Sequence, residues 1–172
     1  MPYSQSSKFL AQAAVGGALA LASMSAANAA EVVRHPLLGG NTFPIARAVE
    51  VPAGKTIIFH SGTTPAPLDP KAEVGSPAYW GDTKTQALSA FARIKESLDT
   101  MKLGFGNVVA MTVYLVGDPA KDGRMDFAGF MEAYTQYFGT KEQPTLPARS
   151  TVQVAGLAAA GMLVEIEVQL VK

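Results

Sequence analysis

The chain has 172 residues, 48% of them hydrophobic and 16% charged, which fits one domain with a core of ordinary size and excludes an intrinsically disordered chain. Basic and acidic side chains number 14 each, and this balance argues against a nucleic-acid partner. The absence of cysteine excludes disulfides, thiol nucleophiles and thiolate metal sites, and His35 and His60 have no third ligand at zinc spacing, so no metal is expected.

The N-terminal segment has the pattern of an export signal. Lys8 is the only charged residue in the first thirty positions, and an apolar, alanine-rich run follows it over residues 9–24. Ala27-Asn28-Ala29 then supplies the small-x-small pattern that precedes signal-peptidase cleavage. We expect a signal peptide over residues 1–29 and a single periplasmic or secreted domain over residues 30–172, with no membrane contact after cleavage. The alternative is an uncleaved membrane anchor.

Two short strands are predicted in the first part of this domain. Residues 31–44 have the composition of a surface arm, and the weak alternation over residues 45–51 predicts a strand. The turn at residues 52–55 joins it to a more buried strand at residues 56–60, which predicts a hairpin. Four prolines over residues 63–77 predict a loop.

Two amphipathic helices and three more strands follow. The first helix begins at Asp82, a residue type that caps helix N-termini, and the second is predicted over residues 126–138. Strands are predicted over residues 108–116, 150–154 and 162–171. The order ββαβαββ predicts an α+β fold, in which one mixed sheet has hairpins at both ends and two helices packed on one face. The apolar stripe of the first helix consists of Leu88, Phe91, Ile94, Leu98 and Met101.

The strand at residues 108–116 is apolar on both of its faces. A strand of this kind is normally covered on both sides, whereas two helices on one face cover only one. The sequence therefore predicts that further copies of the same chain cover the other face.

The last predicted strand carries two carboxylates on one face, Glu165 and Glu167, among apolar residues. Arg149 begins the preceding strand, and a fixed arginine can hold a carboxylate through two parallel hydrogen bonds. We expect Arg149 to face the two glutamates; an ordinary surface ion pair is the alternative. His60 precedes Ser61, but no acid is placed to complete a catalytic triad, so a core histidine is expected.

Several motifs resemble the RidA/YjgF family. The C-terminal signature of that family is closely similar to PARSTVQVAGL at residues 147–157 followed by VEIE at residues 164–167. Three further motifs also match: VVAMTVYL at residues 108–115, Tyr134 with Phe138-Gly139, and Phe59-His60-Ser61-Gly62. The likeness covers residues 43–171.

The resemblance implies a chorismate-mutase-like fold of the bacillus type, assembled as a homotrimer with three clefts between subunits. It also implies hydrolysis of reactive imino and enamino acids to 2-oxo acids and ammonia, without a cofactor. In that family's pattern Arg149 grips the carboxylate of the small substrate and Glu165 orients or activates water. Main chain near Ser61-Gly62 and Thr151 completes the cleft, and Glu167 is a competing candidate for handling the water.

The sequence departs from the family pattern at three places. Ile45 stands where many members have tyrosine, Met131 stands where an asparagine is common, and residues 158–161 lengthen the arginine-to-glutamate interval by one residue. We therefore expect a substrate-binding pocket that favours a more apolar or bulkier side chain than that of 2-aminoacrylate. The alternatives are a weakened or lost activity and a non-catalytic, carboxylate-binding or chaperone-like trimer.

Overall fold

A computed structural model describes residues 31–172, and the predicted signal peptide at residues 1–29 lies outside them. Strands and helices alternate along this part of the chain. In chain order they are β1 (Val33–His35), β2 (Ala48–Glu50), β3 (Ile57–Thr63), α1 (Pro77–Trp80), α2 (Thr83–Thr100), β4 (Val108–Val116), α3 (Phe127–Tyr134), β5 (Ala148–Val154) and β6 (Val164–Val171).

The main sheet has four strands in the order β3-β6-β4-β5. β5 runs parallel to β4, and the other two pairings are antiparallel, so the sheet is mixed as predicted. The central strands β4 and β6 carry the most buried residues, whereas the two edge strands alternate between half-buried and exposed positions. Burial on both sides of a strand favours a central position, because edge strands have one open side.

The predicted N-terminal hairpin is wrong. β2 pairs antiparallel with β1, which lies in the segment expected to be an arm, and these two strands form a separate small sheet. β3 instead pairs with the C-terminal strand β6, and beyond their ends Thr56 and Lys172 exchange both backbone hydrogen bonds, at 3.1 and 3.0 Å. The longer β6 offers β3 a longer ladder than the three residues of β2.

The predicted C-terminal hairpin is also wrong, because β4 lies between β5 and β6. Residues 155–163 carry the chain past β4 to the far side of that strand. The core-facing residues of β6 are essentially unexposed and require the central position. They are Val164, Ile166, Val168 and Leu170.

The helices pack on one face of the sheet, as predicted. Asp82 caps α2 by accepting a hydrogen bond of 2.8 Å from the Thr85 backbone amide, and α2 buries Phe91, Ile94 and Leu98 completely. α3 ends at Tyr134, four residues earlier than predicted, although Phe138 is still buried beneath the following turns. The short helix α1 lies at the end of the predicted proline-rich loop and begins with proline after the capping residue Ser76.

The two faces of the main sheet differ in burial. On the face toward the helices, Met111, Val113 and Leu115 of β4 are at most 3% exposed. On the opposite side, called here the open face, alternate residues of β4 are only half-buried, and Phe59 on β3 is 74% exposed. One chain therefore covers one side of the sheet. Within residues 31–172, no helix has the length and apolar character needed to cross a membrane.

Candidate active site on the two faces of the sheet

Arg149 lies on the helix-facing side of the edge strand β5. It is opposite Met111 in the parallel register with β4, so its side chain points to the same side as that buried methionine. Its guanidinium carbon lies 4.2 Å from the centre of the Tyr134 ring, and three phenylalanine rings complete an aromatic cage around it. Their centres are 5.1 Å (Phe130), 5.5 Å (Phe43) and 5.8 Å (Phe127) from that carbon. Cation–π attraction holds the charge in place there.

The cage leaves the Arg149 guanidinium with unused hydrogen-bonding capacity. Nη2 donates to the sulfur of Met131 at 3.2 Å, a weak acceptor, and Nη1 is buried without a hydrogen-bond partner. Burial lowers the pKa of Arg149, yet an arginine stays charged at neutral pH. A desolvated cation with an unpaired N–H donor favours the binding of an anion, since an anion supplies both a neutralising negative charge and a hydrogen-bond acceptor.

Thr151 adds a second unpaired donor to the same side of β5. It lies two residues beyond Arg149 and therefore faces the same way, and its hydroxyl is buried without a partner. Ile45 is held beside the start of β5 because Ala46 donates a backbone hydrogen bond of 2.9 Å to the Pro147 carbonyl. A depression of about 380 Å³ at this strand start is bordered by Ile45 and Arg149 and also by Thr112 and Ser150, which the register places on the open face.

Glu165 and Glu167 lie on the open face, opposite Tyr114 and Thr112 of β4. They border a depression of about 410 Å³ together with Ser61 and Gly62. The hydroxyl of Tyr114 donates to Glu167 at 3.1 Å, and this hydrogen bond raises the pKa of Tyr114. The Glu165 side chain has no hydrogen bond or ion pair within residues 31–172. Of the two carboxylates, Glu165 is the one available to a water or a ligand.

Gly62 makes the space that the Glu165 carboxylate occupies. Ser61 and Gly62 form an irregularity in the β3–β6 ladder, where β3 has one extra residue between His60 and Thr63. A Cβ atom at Gly62 would overlap Oε1 of Glu165 and lie 2.9 Å from its Cδ. The sequence predicted Ser61 and Gly62 as site residues, and the structure brings both of them to Glu165.

The expectation that Arg149 faces Glu165 and Glu167 is wrong within one chain. β4 separates the strands that carry them, and the register points Arg149 toward the helices and the two glutamates toward the open face. The predicted residues thus divide into two half-sites. The Arg149 half-site contains Ile45, Met131, Arg149 and Thr151, and the Glu165 half-site contains Ser61, Gly62, Glu165 and Glu167.

The aromatic cage was missed as part of the site. Phe127, Phe130 and Tyr134 follow one another at steps of three and four, a helical stripe that predicts core packing and gives no sign of a bound cation. Phe43 had no local signal, because it reaches the cage from the segment before β2. Within the described residues, no group of three histidine or acidic side chains could hold a metal ion.

Comparisons with known proteins agree on one family. The family model described as endoribonuclease L-PSP matches residues 39–171. A RutC family protein of Pyrococcus abyssi is 35% identical over 124 residues, which are 72% of this chain and 83% of that protein. The crystal structure of Escherichia coli TdcF with bound serine is 29% identical, with a TM-score of 0.52 over 81% of this chain and 94% of that chain. The E. coli YjgF gene product is also 29% identical, with a TM-score of 0.52 over 81% and 93% of the two chains.

Proposed function

The chain belongs to the RidA/YjgF family, also described as endoribonuclease L-PSP, and we propose that it hydrolyses reactive imino and enamino acids to 2-oxo acids and ammonia. Its α+β fold is the chorismate-mutase-like fold of that family. The observation that carries the proposal is the buried Arg149 cation, which has an unpaired N–H donor and no carboxylate partner among residues 31–172.

Arg149 binds the substrate carboxylate in this proposal. An imino acid is an anion at neutral pH, and its electrophilic C=N carbon is adjacent to the carboxylate, so a clamp on the carboxylate also fixes the reacting carbon. The aromatic cage restricts the guanidinium to one orientation and keeps it poorly solvated, which strengthens its attraction for an anion. The serine bound to the related TdcF also carries a carboxylate, which supports a ligand of this class.

Glu165 completes the site from a neighbouring subunit. The two half-sites lie on opposite faces of one sheet, so one small ligand contacts both only if they come from different chains. We propose a homotrimer with cyclic symmetry, in which the open face of one subunit lies against the β5 edge of the next. The exposed Phe59 and the half-buried Tyr114 on the open face support its being covered in this way.

The reaction needs only a positioned water and a proton acceptor. An enamine first tautomerises to the imine. The Glu165 carboxylate accepts a proton from water as the water oxygen attacks the C=N carbon, which gives a carbinolamine. Glu165 delivers the proton taken from water to the imine nitrogen, which completes the carbinolamine. It then takes the carbinolamine hydroxyl proton and transfers it to the nitrogen as the C–N bond breaks, so that ammonia leaves, the C=O bond forms and the 2-oxo acid remains on Arg149.

The Arg149 half-site favours substrates with an apolar side chain. Met131 contacts the guanidinium through its sulfur, Ile45 borders the same strand start, and the cage adds phenylalanine rings. None of these groups hydrogen-bonds a polar substrate side chain well, whereas each of them packs against methyl, thioether or aryl groups.

The assay uses imino acids that an amino-acid oxidase generates in situ, and it measures the release of ammonia or 2-oxo acid. The substrates form a series with apolar and polar side chains. Wild type should accelerate release and Arg149→Ala should not. Glu165→Gln should lower turnover about 10² to 10³-fold, while the matched variant Glu167→Gln should lose far less, because Tyr114 already holds Glu167. Equal acceleration by wild type and Arg149→Ala would show that the clamp assignment is wrong.

A non-catalytic carboxylate-binding trimer is the second candidate. One observation favours it: the residues of the Arg149 half-site come together on one face of the sheet, and Glu165 lies on the other face. Retained 2-oxo acid binding with lost turnover in Glu165→Gln supports the enzyme. Binding by wild type without turnover of any imino acid supports the binding protein. The family description also mentions a ribonuclease, but the equal numbers of basic and acidic side chains offer RNA no net attraction.

We also propose that the protein is exported, on the basis of its N-terminal sequence. Cleavage after Ala29 would release a mature chain of residues 30–172. N-terminal sequencing of the protein recovered from a periplasmic fraction tests this; an intact N-terminus on membrane-bound protein would indicate an anchor.

A further inference from the structure

We propose that His60 and Ser97 form a second hydrolytic site, which cleaves small carboxylic esters through an acyl-serine. The pair lies on the helix-facing side of the sheet, where the edge strand β3 meets the C-terminal half of α2. This site shares with the two half-sites only the main chain of Ser61, whose carbonyl contacts His60, and it does not depend on the imine hydrolysis proposed for them.

The hydrogen bonds of His60 set the tautomer that a general base requires. Nδ1 lies 2.9 Å from the main-chain oxygen of Ser61, and Nε2 lies 2.9 Å from the hydroxyl oxygen of Ser97. A carbonyl oxygen only accepts, so in the neutral imidazole Nδ1 carries the hydrogen and Nε2 presents its lone pair. The Ser97 hydroxyl therefore donates to Nε2, which is the arrangement of an activated nucleophile, its base and a third group that orients the base.

The surroundings of the pair are accessible and polar. A groove of about 430 Å³ opens over His60 and Ser97, and both residues are half-buried, so a small ligand reaches the serine oxygen. Arg93 and Thr100 lie on the same side of α2, four residues before and three residues after Ser97. The groove is lined by His60, Thr63, Arg93, Glu96, Ser97 and Thr100.

Arg93 supplies the positive charge that an ester-cleaving site needs. Its Nη1 donates to the Thr64 carbonyl, which anchors the guanidinium, and the exposed side chain lines the groove. A fixed guanidinium stabilises the negative charge that develops on the carbonyl oxygen of an ester under attack. The carboxylate of Glu96 on the same wall disfavours esters that already carry a negative charge.

The reaction balances with water as the only co-reactant. Ser97 Oγ bonds to the ester carbonyl carbon as its proton passes to His60 Nε2. The C–O bond to the alcohol breaks, the alcohol oxygen takes that proton, and the acyl group stays on Ser97. A water then attacks the acyl-serine with the same proton transfers and releases the carboxylic acid.

Two probes test the site on the full-length folded protein. A fluorophosphonate, which loses fluoride to an activated serine, should modify wild type at Ser97 as located by peptide mass spectrometry. Hydrolysis of p-nitrophenyl acetate should exceed the buffer rate. Both signals should vanish in Ser97→Ala and fall about 100-fold in His60→Gln, which keeps a polar contact but removes the base.

Ser89→Ala is the matched control, because Ser89 lies on the same helix and accepts a hydrogen bond of 3.0 Å from the Ala66 amide without contacting a histidine. It should keep both signals. An unmodified Ser97 in folded wild type, or equal modification of wild type and His60→Gln, would overturn the proposal and leave the pair as a structural tie between β3 and α2. Thermal unfolding of each variant identifies one that fails to fold, and the labelling of wild type still decides in that case.

Discussion

Replacement of Gly62 by alanine is expected to lower imine hydrolysis about 100-fold while leaving the fold intact. The added methyl group would overlap Oε1 of Glu165 and lie 2.9 Å from Cδ and 3.1 Å from Cγ, so the carboxylate has to move. Gly62 has no positive φ angle, and the overlapping group is the end of a flexible side chain, so neither backbone strain nor a core clash lowers stability.

The size of the effect follows from the displacement. Normal van der Waals separation requires the carboxylate to shift by about 1 Å or more, and misplacement of a catalytic group on that scale costs about 10²-fold in rate. This factor corresponds to about 2.7 kcal/mol of activation free energy. The assay is ammonia release from imino acids generated in situ, with the melting temperature measured on the same samples.

Two further variants make this prediction decisive. Gly104→Ala is the matched control, because Gly104 has a φ of −142° and a Cβ there meets nothing within 4 Å, and it should keep full activity. The double variant Gly62→Ala/Glu165→Gln should be no worse than Glu165→Gln alone, since both changes remove the same carboxylate from its place. Wild-type activity of Gly62→Ala, or a further full loss in the double variant, would refute the role given to the Gly62–Glu165 contact.

Two other predictions concern the aromatic cage. Arg149→Lys should raise the dissociation constant of a 2-oxo acid at least about tenfold by calorimetry, because an ammonium group cannot make two parallel hydrogen bonds to one carboxylate; unchanged affinity would contradict the clamp. Desolvation raises the pKa of Tyr134 to about 12 from 10.0, so its phenol ionises in the unfolded chain before it ionises in the folded one. Between about pH 10 and about pH 12 the free energy of unfolding of wild type should therefore fall by up to about 2 to 3 kcal/mol more than that of Tyr134→Phe; urea unfolding of both proteins at several pH values measures the difference.

Elements with a strong local pattern were predictable from the sequence. The strand predicted over residues 108–116 is β4 to the residue, and the capping aspartate Asp82 begins α2 as expected. In both cases a dense apolar pattern is bounded by residues that end regular structure, so local physics decides the element. α3 is shorter than predicted, because the buried aromatic side chains past Tyr134 continue in turns and not in a helix.

Strand neighbours could not be predicted in the same way. Alternation shows which residues of one strand share a face, but the partner strand and the register are chosen by the whole sheet. Arg149 pairs with Met111 and Glu165 pairs with Tyr114, positions three residues apart on β4, and an odd separation places them on opposite faces. Ser97 was missed beside His60 for a related reason, since 37 residues separate the pair along the chain.

Subunit complementation tests most directly whether one active site is shared between two chains. Arg149→Ala and Glu165→Gln proteins are each expected to be inactive; they are mixed in equal amounts, unfolded and refolded together. In a cyclic trimer with random assembly, about a quarter of the interfaces then combine an intact Arg149 from one chain with an intact Glu165 from the next, and about a quarter of wild-type activity should return. Refolded mixtures that form trimers but remain inactive would contradict a site shared between subunits.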